Sequence, residues 1–220
     1  MLKERLEAIQ ERITRAAARA GRRHEDITLL AVTKKFPART IAAAAALGIR
    51  DFGENYVQEF EDKRAALAGL RGARFHFIGH LQANKARKAV ELFDVIQTVD
   101  SARLAERLNQ AASAPLDVMI EVKLSPEEAK AGVSPDDLPQ LVGAVRACAN
   151  LRLRGLMTMP PWSDEAEPSR PYFRRLHELA GEHALSGLSM GMSHDFEVAI
   201  EEGATLIRIG TALFGPRRRE

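Results

Sequence analysis

Short apolar, β-branched or aromatic runs alternate with longer helix-patterned stretches along nearly the whole chain, and this alternation restricts the fold more than any other feature. The strand-like runs fall at 27–33, 49–52, 75–78, 95–99, 118–122, 153–157, 188–190 and 206–209. Helix-like stretches lie between them at 38–47, 57–67, 83–92, 102–112, 135–149, 168–183 and 196–201. Repeated strand–helix units argue for a parallel sheet with helical crossovers. Eight of them can close into a (β/α)8 barrel, for which 220 residues lies toward the short end. An open doubly wound sheet is the alternative, but it would need fewer strands and a dinucleotide fingerprint, and no G-x-G-x-x-G follows the first strand. The expected class is therefore α/β, a single-domain (β/α)8 TIM barrel over 1–220. An extra N-terminal helix precedes it, with Leu6, Ile9, Ile13 and Ala17 on one face before Gly21. The irregular stretch 159–168 follows a strand and reads as a long loop on the barrel mouth.

Composition removes several function classes. Thirty-two Lys and Arg stand against thirty Asp and Glu, and the only dense like-charge run is Arg217-Arg218-Arg219, so no footprint for nucleic acid is present. No apolar run approaches the roughly 20 residues of a membrane span or a signal-peptide core. The single cysteine, Cys148, cannot form an intramolecular disulfide and reads as an inert small hydrophobe inside a helix, which suits a reducing compartment. A soluble, cytoplasmic chain without membrane contact is expected. His177-Glu178 could open a zinc-protease helix, but the second histidine would be due where Gly181 stands. Ser193-His194-Asp195 are consecutive, so their side chains cannot form a triad, and there is no G-x-S-x-G elbow.

In a barrel the working residues sit where strands end and loops begin. Lys34 closes the apolar run Leu29-Leu30-Ala31-Val32-Thr33, and it shares its parity with Leu30 and Val32. If those two face inward, so does Lys34, and a desolvated amine there suits attack on a carbonyl. Lys35 would point away. Spacing alone is equally compatible with a solvated strand-to-loop transition. Arg208, inside Leu206-Ile207-Arg208-Ile209, needs a partner, either a carboxylate such as Glu54 or a ligand group. A guanidinium beside a pyridine nitrogen would keep that nitrogen unprotonated. The loops 189–193 and 210–215 carry glycines and hydroxyls that suit an anion, although Gly191 and Gly210 could simply permit tight turns. Asn55 and His80 sit on strand-to-helix turns, as ligand contacts or as capping residues. Met157 and Met159 could pack on a flat ring or fill the core.

Taken together, several segments resemble the pyridoxal phosphate homeostasis proteins. They are Ala31-Val32-Thr33-Lys34, Phe52-Gly53-Glu54-Asn55-Tyr56-Val57-Gln58-Glu59, Phe75-His76-Phe77-Ile78-Gly79-His80-Leu81-Gln82 with Asn84-Lys85, Gly155-Leu156-Met157-Thr158-Met159, Leu188-Ser189-Met190-Gly191-Met192-Ser193, and Arg208-Ile209-Gly210-Thr211-Ala212-Leu213-Phe214-Gly215. They span nearly the whole chain. The resemblance implies a fold similar to the barrel domain of alanine racemase, with pyridoxal 5′-phosphate held as a Schiff base on Lys34. It also implies phosphate contacts around Ser193, Gly210 and Thr211, with Arg208 at the pyridine nitrogen. The candidate cofactor-binding set is Lys34, Asn55, His80, Met157, Ser189, Ser193, Arg208, Gly210 and Thr211. The family often reads Ser-Lys-Thr-Lys-Pro where this chain has Thr33-Lys34-Lys35-Phe36-Pro37, which makes Lys35 a local competitor that register disfavours. A serine common in the family is also missing from Glu202-Gly203-Ala204-Thr205.

A racemase needs acid–base groups on both faces of its substrate, and in racemases of similar fold one comes from a second, β-rich domain. This chain runs to Glu220, five residues past Gly215, with only Tyr56 and Tyr172 as phenols. The expected function is therefore cofactor binding and homeostasis without a defined reaction, in a monomer that supplies pyridoxal-phosphate-dependent apoenzymes. A small pyridoxal-phosphate-dependent racemase or lyase is the alternative, and an aldolase-like barrel using Lys34 is a third.

Overall fold

The eight expected strands pair in sequence order, and the last hydrogen bonds back to the first, giving a closed parallel barrel. They are β1 (Thr28–Val32), β2 (Asp51–Glu54), β3 (Arg74–Phe77), β4 (Val95–Val99), β5 (Leu116–Glu121), β6 (Leu151–Met157), β7 (Gly187–Met192) and β8 (Leu206–Ile209). The computed structural model describes residues 1–125 and 131–216, so the Arg217-Arg218-Arg219 run lies outside the described residues. The chain is an α/β (β/α)8 barrel with an added N-terminal helix.

That helix, α1 (Leu2–Arg19), buries Leu6, Ile9, Ile13, Ala16 and Ala17, the face marked by the three-and-four spacing. The crossovers are α2 (Ala38–Ala46), α3 (Val57–Arg64), α4 (Ala86–Leu92), α5 (Ala102–Ala111), α6 (Leu138–Arg146), α7 (Arg170–Glu182) and α8 (Phe196–Glu201). A short α9 (Thr211–Phe214) follows β8 where only a loop was expected. The 57–67 and 83–92 stretches are each part α-helix and part 3-10 turn. The 135–149 stretch starts late, at Leu138, with Pro139 in its first turn, where a missing N–H costs nothing. Cys148 lies beyond the end of α6 rather than inside a helix, with its thiol donating to the Ala144 carbonyl at 3.4 Å. Among the described residues, no helix is long and apolar enough to cross a membrane.

Alternation along each strand separates two environments. Outward residues such as Ala31, Phe52, Phe75, Ile96, Val118, Leu188 and Ile207 join the helices in one continuous apolar cluster. α1 packs against α8 and α9 and closes that layer over the β7–β8 side. Inside, Leu30, Val32, Ile78 and Leu206 form a separate small apolar cluster.

Beside Met119 and Met157, the interior holds a connected run of polar groups. Arg208 Nη1 donates to Ser189 Oγ at 2.8 Å, and that hydroxyl donates to Gln97 Oε1 at 2.6 Å. With its oxygen so used, the Gln97 amide nitrogen faces His76 Nδ1 at 2.9 Å and acts as donor. The imidazole proton is thereby left on Nε2, 2.9 Å from Asp51 Oδ1. Five strands thus contribute to one directional chain running from Arg208 to Asp51. Such chains are cooperative when every member is satisfied and costly when one is removed. Gln97→Leu leaves the buried Ser189 hydroxyl proton without an acceptor and the His76 ring nitrogen without a donor, and it should cost about 2–4 kcal/mol in urea unfolding. A change under about 0.5 kcal/mol would show that the chain is not structural.

Candidate functional site

The C-terminal ends of the strands and the loops after them form the rim where barrels do their chemistry. A cavity of about 440 Å³ opens there, and its wall includes Lys34, Asn55, Ser193, Arg208, Gly210 and Thr211. β1 ends at Val32, so Lys34 sits two residues into the following turn, half-buried, on the inward parity set by Leu30 and Val32. Lys35 is exposed, with φ of 63°, and its backbone N–H donates to Glu59 Oε1 at 2.5 Å. The two lysines are therefore separated by backbone direction: one lines the cavity and the other faces solvent.

Arg208 is 4% exposed. The carboxylate considered as its partner, Glu54, is engaged elsewhere, by Thr33 Oγ1 at 2.8 Å and Lys63 Nζ at 3.0 Å. The reason is parity: Gly53 faces the barrel interior against Leu30 and Ile78, so Glu54 faces the helices. Arg208 is held instead by the Ser189 carbonyl and hydroxyl and by the Thr158 carbonyl, at 2.7, 2.8 and 2.8 Å. Burial pulls its pKa down to about 10, against the favourable fields of Asp195 and Glu121, so it stays charged at neutral pH. A cation fixed by neutral acceptors keeps most of its field for whatever enters the cavity.

The two loops after β7 and β8 are tied together, since the Ala212 backbone N–H donates to Ser193 Oγ at 3.2 Å. Their glycines differ in kind. Gly191 has φ of 89°, and a Cβ there would come within 2.5 Å of Ala199, so its role is the close approach of α8. Gly210 is not in the left-handed region, and a Cβ would meet only Val32, at an ordinary 3.5 Å. The protein itself does not require a glycine at 210; the missing side chain widens the cavity wall. The Asn55 amide oxygen, also on that wall, is buried without a hydrogen-bond partner. The helix cap at this turn is Tyr56, which leaves Asn55 free of the capping role.

Three of the candidate residues do not line this cavity. Met157 and Ser189 are register partners on β6 and β7, fully buried below its floor, and Ser189 acts on Arg208. His80 lies on the exposed rim, 3.6 Å from Asp100, and lines two neighbouring cavities. For Met157 and Ser189 the reason is that parity tells which way a strand residue points but not its depth along the barrel axis, whereas His80 lies in the turn after β3, where strand parity no longer applies. The sequence reading also passed over Trp162, Met192, His194 and Ala212 on the cavity wall. Trp162 is 70% exposed, and its ring lies 4.3 Å from that of His194. Glu121, at the end of β5, carried a signal as well, since it lies inside the strand-like run 118–122 just as Arg208 lies inside 206–209.

Residues 5–218 match the family model described as the alanine racemase N-terminal domain. A pyridoxal phosphate homeostasis protein of Pseudomonas aeruginosa is 47% identical, over 97% of this chain and 95% of that one. The chain belongs to the pyridoxal phosphate homeostasis protein family. PipY of Synechococcus elongatus, solved with PLP bound, superposes with a TM-score of 0.83 at 39% identity, over 98% of this chain and all of PipY. Alanine racemase from Corynebacterium glutamicum shares the fold, with a TM-score of 0.70 at 19% identity, over 97% of this chain and 62% of the racemase. In this member of the family the lysine, the buried arginine and the paired loops lie on one cavity.

Burial pushes the Glu121 carboxyl up to about 7, with Asp100 adding to the rise and Arg208 opposing it. A glutamate carboxyl in water titrates near 4.5. Below that pH the group is protonated folded or unfolded and contributes nothing. Between there and about 7, the unfolded chain ionises while the folded one stays neutral, so stability falls as pH rises and levels off above. Glu121→Gln removes this penalty. It should stabilise the fold by at most about 3 kcal/mol near pH 8 and by nothing near pH 4, read as urea midpoints at the two pH values.

Proposed function

We propose that this chain binds pyridoxal 5′-phosphate through the Lys34 amine and serves the intracellular homeostasis of that cofactor. The observation that carries the reading is one cavity holding a half-buried lysine, a permanently charged buried arginine and two linked loops rich in donors. Membership of the homeostasis family and the PLP-bound PipY structure support it. The residues present fit the group: Gly210 leaves room where a Cβ could stand, and Asn55 brings an unpartnered amide oxygen.

When bound, the cofactor supplies an aldehyde able to condense with a primary amine and a ring able to withdraw electrons. Lys34 provides the amine. Ser193, Gly210 and Thr211 hold the phosphate, through the hydroxyls and the backbone of the two loops. Arg208 stands at the ring nitrogen and, because its guanidinium does not release its proton at neutral pH, keeps that nitrogen unprotonated. This limits electron withdrawal and favours holding over turnover. Met157, Ser189 and His80 act outside the contact set, Ser189 by fixing Arg208. The chain works as one domain, a cytoplasmic monomer without a defined reaction of its own, and hands the cofactor to apoenzymes that depend on it.

The test is covalent trapping. Incubation with pyridoxal 5′-phosphate and reduction with borohydride should place the adduct on Lys34, and Lys34→Ala should lose it while Lys35→Ala keeps it. Labelling at Lys35, or unchanged labelling in Lys34→Ala, would overturn the assignment.

A further inference from the structure

A second cavity of about 620 Å³ adjoins the first and shares Met159, Trp162 and Met192 with it. Pro160 and Val122 extend its apolar wall, and Glu121 is set into that wall. Glu121 is 3% exposed, and among the described residues its carboxylate forms no hydrogen bond or ion pair. The charges around it come from several elements. Arg208 on β8 and Asp100 after β4 act on it through space, and Asp100 is engaged with His80 on the rim. Lys123 lines the same cavity and has an interaction of its own. Arg208 points its Nη1 and Nη2 at Ser189 and Thr158 rather than at Glu121.

A carboxylate withdrawn from water without a donor is costly, and such costs persist where a ligand completes the pairing. The lining describes that ligand. One carboxylate is too few for a metal, and a cation beside it favours its ionised form where an anion would not. The methionines and the tryptophan accept an unbranched or aromatic hydrocarbon, and the indole face also favours a cation.

We infer that this second cavity binds a small primary ammonium with an apolar body, its charge paired with Glu121 and its body against Met159, Trp162 and Met192. The site needs neither Lys34 nor the cofactor. A ligand seated there lies across the shared wall from Lys34, so the chain can hold a small amine and its cofactor side by side.

Trp162 is the single tryptophan and lines both cavities, so its fluorescence reports on the wall they share, and the Glu121→Gln comparison assigns the change to the second one. Cofactor-free protein is titrated with n-hexylammonium, 1-hexanol and hexanoate. The ammonium should give a saturable change, with an affinity at least about tenfold above that of the alcohol, and hexanoate should bind more weakly than either. Glu121→Gln should reduce the ammonium affinity about tenfold while leaving hexanol binding and borohydride labelling of Lys34 unchanged. Equal affinity for alcohol and ammonium, preference for hexanoate, no saturable change, or ammonium binding retained in Glu121→Gln would each overturn the inference. The three probes on the unmodified chain decide the matter if the variant does not fold. Loss of Lys34 labelling would count against the cofactor reading and leave this one standing.

Discussion

A guanidinium enclosed in a parallel barrel has to find its acceptors inside the barrel, because desolvation without them costs several kcal/mol. Arg208 finds three, all from the ends of two neighbouring strands: the Ser189 carbonyl and hydroxyl and the Thr158 carbonyl. None of them is charged. The cation is therefore fixed in direction without being neutralised, and its field reaches the cavity bounded by Lys34. The requirement then propagates. Ser189 accepts from Arg208 and donates to Gln97, and Gln97 must donate to His76, which sets the tautomer that meets Asp51. One buried charge thus accounts for a polar interior where a barrel of this size is otherwise filled with branched aliphatic residues.

The functional consequences follow from what lies above that charge. Lys34 and the linked Ser193 and Gly210 loops close the rim around it, whereas Lys35 is turned outward by its left-handed backbone. A pyridine ring seated between amine and guanidinium would be anchored at both ends yet poorly activated, a combination that suits keeping a reactive aldehyde rather than turning over substrates with it. Next to this lies a chamber with a largely apolar wall, into which Glu121 is set, with Lys123 and His80 also on its lining. The two chambers share a wall and differ in the charge they would attract.

The barrel and its strand order were legible because the hydrophobic period switches between two and about 3.6 at every boundary, and those switches survive even in short elements. Lys34 and Arg208 were legible for a related reason: each is a charge in or at the end of an apolar strand, where only chemistry or pairing justifies it. Depth was not legible. Met157 and Ser189 have the inward parity of ligand contacts, but the tilt of the strands leaves them beneath the cavity floor. His80 stands three residues past the end of β3, where strand parity no longer tells which sector of the rim a side chain faces. The Asp51–His76–Gln97 chain was hidden altogether, because its members are roughly twenty residues apart in sequence and become neighbours only through the register of β2, β3 and β4. Glu121 could have been found by the rule that found Arg208, applied to the fifth strand.

The central claim is that Arg208, held by uncharged acceptors, faces a cofactor ring attached on the Lys34 side. A crystal structure of the protein grown with pyridoxal 5′-phosphate tests it most directly. Continuous density from Lys34 Nζ, with the ring nitrogen at hydrogen-bond distance from Arg208 and the guanidinium still bonded to Ser189 and Thr158, is the predicted result. Cofactor bound elsewhere on the chain, or an Arg208 swung away from Ser189 to reach the phosphate, would contradict it.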